Sequence, residues 1–526
     1  MHDLVLRGGT VHDGLGIAAR TADVAIAGDR IVAVGREVGA AHRVIDVAGL
    51  MVAPGFIDPH AHSDLVPLMP DPQPFKLLQG VTTEIVGNCG LSFAPLTHRA
   101  LPDARSLLRD LAGGVELRVR TFGDYLDAVE AAGPTNHVAA LVGHGMLRMS
   151  VAGMEPRLPA GGLAEMSRLA DEAFAAGAVG LSSGLIYTPG AYADTDELVA
   201  LAQVAHGWDR IYSTHIRDEG EGLTTALEEA IEIASRAQVR LQVSHCKAAG
   251  RASHGNSRMV LDMLRAARIA GVDVRGDQYP YLAGSTTLAS LLPAEAHVGG
   301  ASALRERLRD PLARKRLRER AEDPATSVGV GLWRSAPPSG VLIISHADAD
   351  LVGRTLDQLA SDRDPWDVMC GIVAADPGAL MVITLMSEAD VRTIMVDPLI
   401  AIGSDSGIPS GLGHPRTWGT FPRFLGTYVR DLGMVPWPEA VRKMTSATAR
   451  QFGLTGRGWL GRGAIADIAV FDQETVGHAG TYHENPAAPP TGIPYVILAG
   501  HVVVDDSAFC GERWGRVLRA GHASHY

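Results

Sequence analysis

The feature that most constrains this chain is a regular alternation of short apolar segments and helical segments that begins at Gly55. The apolar segments have the length of strands, and the segments between them carry Ala and Leu at helical spacing. Strands are predicted at 55–60, 82–86, 137–142, 178–182, 211–215, 240–244, 272–276 and 399–403, with helices at 163–176, 198–205, 223–237 and 259–270. Eight strands joined by helical crossovers predict an α/β fold, a (β/α)8 TIM-like barrel whose active site lies at the C-terminal ends of its strands.

The remaining segments predict two additions to this barrel. Residues 1–54 and 457–526 show short strands between glycine turns, which favours a small β-sandwich built from both termini. The barrel then occupies 55–284 and 385–456. Residues 285–384 are too many for one crossover helix and predict an inserted subdomain over the barrel mouth, between strands 7 and 8. That insert includes a charged helix at 303–322, a strand at 341–344 and a helix at 351–359, and the helix at 388–395 follows it.

Composition argues against several classes of protein. A net charge of −12 and a pI near 5.9 make a nucleic-acid partner improbable, because phosphate binding needs a basic face. No window offers about 18 uninterrupted apolar residues, so no membrane span is predicted. The N-terminus shows no basic stretch followed by an apolar stretch, so no secretory signal is predicted. The four cysteines are too few and too scattered to predict a disulfide framework. These features predict a cytoplasmic protein with a small-molecule substrate and leave its oligomeric state open.

Metal-binding residue types stand at the ends of five predicted strands. Side chains at positions i and i+2 of a strand point the same way, so His60 and His62, at the end of the first strand, are predicted to project together. Imidazole and thiolate suit zinc, and a carboxylate beside a metal can take a proton from water and give it to a leaving amine. The candidate residues are His60, His62, Cys89, His215, His245 and Asp405.

Each of these residues alone has a structural alternative. His215 or His245 could be a core histidine, and a lone buried Cys89 commonly fills space. Their joint position at successive strand ends favours a metal-dependent hydrolase, with Asp405 as general base and acid.

The chain also resembles the amidohydrolase superfamily, and within it the D-aminoacylase (N-acyl-D-amino-acid deacylase) branch. The resemblance covers nearly the whole chain. It rests on segments 54–62, 88–90, 142–145, 184–187, 214–217, 244–247, 279–281, 403–405 and 414–423.

This resemblance implies a tightly bound zinc ion on Cys89, His215 and His245. His60, His62 and Asp405 would surround a second, weaker metal position that Cys89 could share. Many amidohydrolases bridge two metals with a carbamylated lysine at the end of the fourth strand. The corresponding segment 180–185 has no lysine, and Cys89 takes the bridging place, which favours the deacylase branch.

The same resemblance implies that Arg416, Lys247, Tyr279 and Ser285 hold the substrate. An arginine can grip a carboxylate through two parallel N–H bonds, and a lysine adds a point charge. The alternatives are a surface role for Arg416, a solvent-directed Lys247, and a wall role for Tyr279. Tyr187 also fits the pocket wall. Three further histidines near the mouth, His144, His346 and His414, are predicted to be structural.

Taken together, the chain is predicted to hydrolyse the amide bond of N-acyl-D-amino acids, giving a carboxylate and a free D-amino acid. One alternative is the hydrolysis of another amide, such as a cyclic amide, dipeptide or lactam, on the same barrel. A non-catalytic scaffold is a remote alternative, because no candidate ligand is missing.

Overall fold

The computed structural model of the chain describes residues 1–71, 73–323, 331–409 and 412–521. Within them the strands are β1 (His2–Val11), β2 (Arg20–Ala27), β3 (Arg30–Gly35), β4 (Ala41–Asp46), β5 (Met51–Pro54), β6 (Phe56–Asp58), β7 (Val81–Val86), β8 (His137–Gly143), β9 (Gly180–Gly184), β10 (Ile211–His215), β11 (Arg240–Val243), β12 (Val274–Gln278), β13 (Ala283–Thr287), β14 (Val341–Ser345), β15 (Leu380–Thr384), β16 (Ile400–Ile402), β17 (Ile468–Phe471), β18 (Tyr495–Leu498), β19 (His501–Asp505) and β20 (Ala508–Phe509). The α-helices are α1 (Leu101–Leu107), α2 (Phe122–Ala132), α3 (His144–Ala152), α4 (Gly162–Ala176), α5 (Thr195–Gly207), α6 (Leu223–Ala237), α7 (Ser257–Ile269), α8 (Gly300–Arg309), α9 (Pro311–Glu322), α10 (Leu356–Ala360), α11 (Pro365–Ala375), α12 (Glu388–Met395), α13 (Arg416–Arg423), α14 (Trp437–Met444) and α15 (Ser446–Gln451).

Eight parallel strands form the predicted barrel. They lie in the order β6-β7-β8-β9-β10-β11-β12-β16. The two end strands meet just beyond their C-terminal ends, where the amide of His62 donates to the carbonyl of Ser406 at 2.8 Å. The amide of Asp405 donates to the carbonyl of His60, also at 2.8 Å. The prediction of a (β/α)8 barrel is therefore confirmed, and its closing seam lies among the candidate ligands.

The helices follow the predicted pattern where packing on the barrel fixes their apolar face. In α6, for example, Leu227, Ala230 and Ala234 are buried at helical spacing. The predicted helix at 303–322 is divided into α8 and α9 because Pro311, which has no N–H, begins a new helix capped by Asp310. None of the described helices is both long and apolar enough to cross a lipid bilayer.

The two ends of the chain share one nine-stranded sheet. Its order is β20-β19-β18-β17-β5-β1-β2-β3, with β4 also paired to β1. The halves join where β5 runs antiparallel to β17. The sheet curls back on itself, so that the amide of Ile31 donates to the carbonyl of Ala464 at 2.9 Å. Its inner faces enclose a separate apolar core that includes Leu6 and Val470.

A three-stranded antiparallel sheet, in the order β13-β15-β14, lies between the last two barrel strands in sequence. Helices α8 to α11 pack in the same apolar core as this sheet. The predicted helix at 351–359 is shorter than expected: α10 starts only after Thr355, whose side chain and that of Gln358 form a capping box. Strand β13 carries Ser285 to the edge of the barrel mouth.

Asp467 connects the terminal sheet to the barrel. Its carbonyl accepts from the amide of Gly55 at 2.8 Å, at the entry to the first barrel strand. Its buried carboxylate accepts from the amide of Ala499 at 2.8 Å and lies 3.3 Å from His137 Nε2 at the start of β8. Arg457 pairs with the second carboxylate oxygen. One carboxylate therefore holds three parts of the chain together.

Replacing Asp467 by Asn should make the free energy of unfolding less dependent on pH in the acidic range. Burial alone would raise the pKa of Asp467, but His137 and Arg457 outweigh it and lower that pKa to about 2. Since the carboxyl of an unfolded chain titrates near 3.9, the ionised form stabilises the fold above about pH 4, and this contribution disappears as the pH falls through about 2. We expect Asp467→Asn to lower the free energy of unfolding by about 2 kcal/mol at pH 7 and by about half as much near pH 3.

Urea unfolding at several pH values measures this difference. Asp196→Asn is the control, because that carboxylate is 81% exposed. A destabilisation by Asp467→Asn that is equal at pH 7 and pH 3 would contradict the assigned role of the charge.

Candidate metal centre

The six predicted metal-binding residues meet at the C-terminal mouth of the barrel. Cys89 Sγ lies 3.3 Å from His60 Nε2 and 3.5 Å from His245 Nε2. Asp405 Oδ1 lies 3.2 Å from His62 Nε2 and 3.5 Å from His60 Nε2. The ring of His215 is packed edge-on against that of His245, with centroids 4.3 Å apart.

Their ligand atoms form three overlapping groups. Within each group the atoms lie within 4.8 Å of one another, and the groups are His60–Cys89–His245, His60–His62–Asp405 and His215–Glu219–His245. In these groups Cys89 lies with His60 and His245, and His215 lies with His245 and Glu219. His245 is common to both arrangements, and His60 is placed between the two predicted metal positions.

Three of these residues adopt a left-handed backbone that L side chains rarely take. The φ angles are 53° at Cys89, 34° at His245 and 49° at Asp405. Such conformations cost about 1–3 kcal/mol each and persist where the surroundings enforce them. Close backbone packing does so at Cys89, since a Cβ on Gly184 would lie only 2.1 Å from the Cys89 carbonyl oxygen. The turn after β7 is therefore shaped to aim a thiol at the mouth.

The cluster stabilises negative charge on its acidic members. Burial alone would raise the pKa of Cys89, but the imidazoles of His60, His62 and His245 outweigh it and hold that pKa well below its usual value. Burial would likewise raise the pKa of Asp405, but Arg416 and His245 hold it well below the ordinary range. A thiolate and a carboxylate therefore face one another across a set of histidines.

These residues fit a divalent metal ion. Both ring nitrogens of His215 are buried and lack a hydrogen-bond partner among the described residues. A buried polar nitrogen without a partner is costly unless a ligand satisfies it. Thiolate and imidazole are the donors that zinc prefers, and the carboxylate adds a hard oxygen.

The predicted substrate residues surround the same centre. Arg416 Nη1 donates to Asp405 Oδ2 at 2.6 Å, and Nη2 donates to the carbonyl of Ser285 at 3.2 Å. The guanidinium lies 5.0 Å from the ring centroid of Tyr279. Lys247 Nζ lies 5.7 Å from the same centroid. Arg416 and Lys247 therefore both lie close to one aromatic ring.

Tyr187 lies on the other side of the centre. Its ring packs edge-on against His215 at 5.1 Å, and its hydroxyl accepts a hydrogen bond from Thr286 at 3.0 Å. Strand β13 of the insert thus reaches the mouth through Ser285 and Thr286.

The three remaining histidines have contacts of their own. His144 Nε2 lies 2.8 Å from the carboxylate of Glu197. His414 Nε2 donates to the carbonyl of Ala283 at 3.0 Å, and His346 Nε2 donates to that of Ile372 at 3.3 Å. These contacts are those of residues that brace loops.

Sequence reasoning assigned no role to two carboxylates that contact the candidate ligands. Glu219 Oε1 lies 2.9 Å from His245 Nδ1 and 2.5 Å from Lys247 Nζ. Asp277 Oδ1 accepts from the amide of His245 at 2.8 Å and lies 3.4 Å from His60 Nδ1. Carboxylates in such positions orient the ring of a ligating histidine and fix its tautomer. Asp277 could have been found as an acid at the end of a barrel strand, and Glu219 as an acid four residues after His215.

A buried lysine fastens the seam beneath the histidine pair. Lys76 Nζ donates to Asp58 Oδ2 at 2.5 Å, to Ser404 Oγ at 3.0 Å and to Ser406 Oγ at 2.8 Å. Asp58 Oδ1 accepts from the amides of His60 at 3.1 Å and Ser404 at 2.9 Å. Lys76 and Asp58 are 1% and 0% exposed. This network joins the strand that bears His60 to the segment that bears Asp405.

Two neighbouring cavities open at the mouth. The larger encloses about 860 Å³ and is bounded by His62, Cys89 and Asp405 on one side. The smaller encloses about 730 Å³ and is bounded by the carboxylate side of Glu219. Ile186 and Ala294 line both cavities and form the partition between them.

Comparison with known proteins gives a consistent set of relatives. The model of the amidohydrolase family matches residues 43–294 and 373–504. A D-aminoacylase of Alcaligenes xylosoxydans xylosoxydans is 40% identical, over 98% of this chain and 97% of the relative. A solved D-aminoacylase described with a binuclear metal centre has 38% identity and a TM-score of 0.85, covering 99% of this chain and 100% of that one. A solved N-acyl-D-glutamate deacylase of Bordetella bronchiseptica, in complex with zinc and a phosphonate inhibitor, has 33% identity and a TM-score of 0.84 with the same coverage.

Replacing Cys89 by Ser should weaken metal binding. The change removes a thiolate that lies beside two imidazoles, and loss of even an outer partner of a metal site costs about 10–100-fold in affinity. We expect at least that loss, measured as zinc retained per chain after exposure to a graded chelator. Cys370→Ser, a buried cysteine in α11 of the insert, is the matched control. Equal retention by both variants would exclude Cys89 as a ligand.

Proposed function

The chain belongs to the amidohydrolase family, and from this premise we propose that it is a zinc-dependent deacylase of N-acyl-D-amino acids. The observation that carries the proposal is the cluster of Cys89 with four histidines and Asp405 at the barrel mouth, with Arg416 and Lys247 beside it. A metal centre is suited to amide hydrolysis, and two cationic side chains beside it are suited to binding a substrate that has a free carboxylate. The relatives of this chain at 33–40% identity include a D-aminoacylase and an N-acyl-D-glutamate deacylase.

We assign a tightly bound zinc ion to Cys89, His215 and His245, and a weaker position to His60, His62 and Asp405. The unpartnered nitrogens of His215 and the ionised Cys89 support the first assignment. When bound, zinc would supply Lewis-acid polarisation of the amide carbonyl and a lowered pKa for water. Asp277 and Glu219 then orient the rings of His60 and His245.

Asp405 is the proposed general base and acid. Its carboxylate is ionised, because Arg416 at 2.6 Å outweighs the effect of burial on its pKa. It can accept a proton from the attacking water and deliver that proton to the departing α-amine. The guanidinium of Arg416 and the ring of His62 hold this carboxylate from two sides, so its position is fixed before substrate arrives.

The α-carboxylate of the substrate is assigned to Arg416, Lys247, Tyr279 and Ser285. Both cations already hold carboxylates in this structure, Arg416 that of Asp405 and Lys247 that of Glu219. An arginine has five N–H donors, and a lysine has three, so each keeps donors for a ligand. Tyr187 would close the opposite wall, because its ring packs on His215.

Hydrolysis of a cyclic amide, a dipeptide or a lactam remains the alternative activity. The deacylase is favoured because β9 has the sequence Gly-Leu-Ser-Ser-Gly and offers no lysine for carbamylation, while Cys89 lies between His60 and His245. A scaffold without catalysis is disfavoured, because such a protein has no need to keep three strained, charged residues at one mouth.

Replacing Asp405 by Asn should abolish turnover and leave the tight zinc ion in place. A general base and acid typically contributes about 10²–10⁴-fold to the rate. We expect kcat to fall by that factor, with about one zinc ion per chain retained by elemental analysis. Asp262→Asn is the control, since that side chain is 72% exposed. Retained activity in Asp405→Asn would remove Asp405 from the mechanism.

A substrate panel tests the class of amide and its chirality together. Fixing the carboxylate and the acyl carbonyl leaves only one direction for the side chain, so one enantiomer should be preferred, and the D-specific relatives favour the D form. We expect N-acetyl-D-amino acids to be cleaved about 100-fold faster than their L-enantiomers, which corresponds to about 3 kcal/mol. The measurement is kcat/KM for both enantiomers, beside a hydantoin and a dipeptide. Faster cleavage of the hydantoin or the dipeptide would select the alternative activity.

A further inference from the structure

Four leucines form part of the wall of the larger cavity. Leu91, Leu107, Leu108 and Leu111 line this cavity together with the candidate ligands. We call these four residues the leucine wall. Three of them, Leu91, Leu107 and Leu111, are partly buried side chains that pack against the barrel core, so their remaining surface is turned to the cavity.

This wall comes from a segment that the chemistry of the centre does not use. Leu107 ends α1, and Leu111 lies in the short helical turn at Asp110–Ala112 that follows. Leu91 follows Cys89 by two residues, so the wall begins directly beside the proposed zinc ligand. The larger cavity therefore leads from the reacting centre to an apolar surface.

Charge in the larger cavity is confined to the centre itself, at His62, Cys89 and Asp405. Among the described lining residues of the larger cavity there is no lysine or arginine. The imidazole of His297 is held by the carbonyl of Ala289 at 3.2 Å, and burial lowers its pKa to about 4, so it is neutral near pH 7. The smaller cavity differs, since Arg217, Glu219 and Arg334 line it.

The two cavities can be matched to the two variable branches of an N-acyl amino acid. The acyl carbonyl must lie at the proposed metal ligands and Asp405, and the larger cavity is the one that these residues bound. The carbon chain attached to that carbonyl therefore starts in the larger cavity. Of the proposed carboxylate anchors, Lys247 pairs with Glu219, which lines the smaller cavity, and Ser285 lines the larger one. We therefore assign the carboxylate to the junction of the two cavities and the leucine wall to the acyl chain.

From this arrangement, and resting on the proposed deacylase function, we propose that the leucine wall binds an apolar acyl chain longer than acetyl. Acetyl would leave most of the wall in contact with water, whereas butyryl to octanoyl chains would cover it. Each methylene moved from water into an apolar site is worth about a fourfold gain in binding. The preference should therefore increase along the acyl series and stop when the wall is covered.

Two substrate series separate the acyl chain from the side chain. In the first, D-leucine carries acetyl, butyryl, hexanoyl or octanoyl groups; in the second, the acetyl group is kept and the amino acid is D-alanine, D-valine, D-leucine or D-phenylalanine. We expect kcat/KM to increase at least tenfold from acetyl to hexanoyl. Loss of all activity on both series would contradict the proposed function, whereas cleavage with no dependence on acyl length would contradict only this inference.

Variants of Leu111 test the wall directly. Leu111→Trp fills the cavity and should lower the octanoyl-to-acetyl ratio of kcat/KM at least tenfold, and Leu111→Ala should lower it about fourfold or more by removing contacts. Leu101→Trp is the matched control, because Leu101 lies in α1, just before the turn that bears Leu111, and packs on the core but does not line the cavity. The use of a ratio corrects for any loss of folded protein.

A shift of the D-phenylalanine-to-D-alanine ratio in the Leu111 variants, with the octanoyl-to-acetyl ratio unchanged, would overturn the assignment by giving the wall to the side chain. An equal shift of the acyl ratio in Leu101→Trp would also overturn it, since the effect would then be general to the segment.

Discussion

The site depends on a buried ion pair that no substrate touches. Lys76 and Asp58 bind one another at 2.5 Å in the seam where the first and last barrel strands meet. Asp58 also accepts amide hydrogens from both sides of that seam, from His60 and from Ser404. Two charges withdrawn from water are retained only when their hydrogen-bonding capacity is used, and here it fixes the backbone beside the histidine pair and the proposed catalytic carboxylate. The buried ion pair therefore holds in place the backbone that carries the candidate ligands.

Above that seam, strained backbone conformations and charged side chains occur in the same residues. Cys89, His245 and Asp405 all adopt left-handed backbone, and their functional groups lie within a few ångströms of one another. Thiolate and carboxylate are kept ionised by neighbouring imidazoles and by Arg416, so the mouth offers negative ligands before a cation enters. The insert and the segment 101–112 line the cavities, and neither supplies a candidate metal ligand.

The sequence predicted the barrel because apolar segments of strand length alternate with helical segments, and β10 and α6 agree with their predicted bounds at both ends. The ends of these strands carry residue types that bind metals. All six candidate ligands could be named for the same reason. The sequence could not predict which side chains meet over long range. Nothing in the residues around Glu219 or Asp277 indicates that each contacts a histidine from another strand. Lys76 is a similar case, since its partners Ser404 and Ser406 lie more than 300 positions away. The broken helix at Pro311 was readable locally, because proline cannot continue the hydrogen-bonding pattern.

The seam also dictates when the centre can exist during synthesis. Asp58 and Ser404 are separated by 346 positions. The contact between the first and last barrel strands therefore cannot form until most of the chain has been synthesised. At about 5–20 residues per second, His60, His62 and Cys89 wait on the order of tens of seconds before Asp405 is made. Throughout that interval the nascent chain presents histidines and a thiol without their enclosing barrel, and it is then that they are open to the wrong metal or to an oxidant. The enclosed set of six candidate ligands can therefore form only after Asp405 has been synthesised.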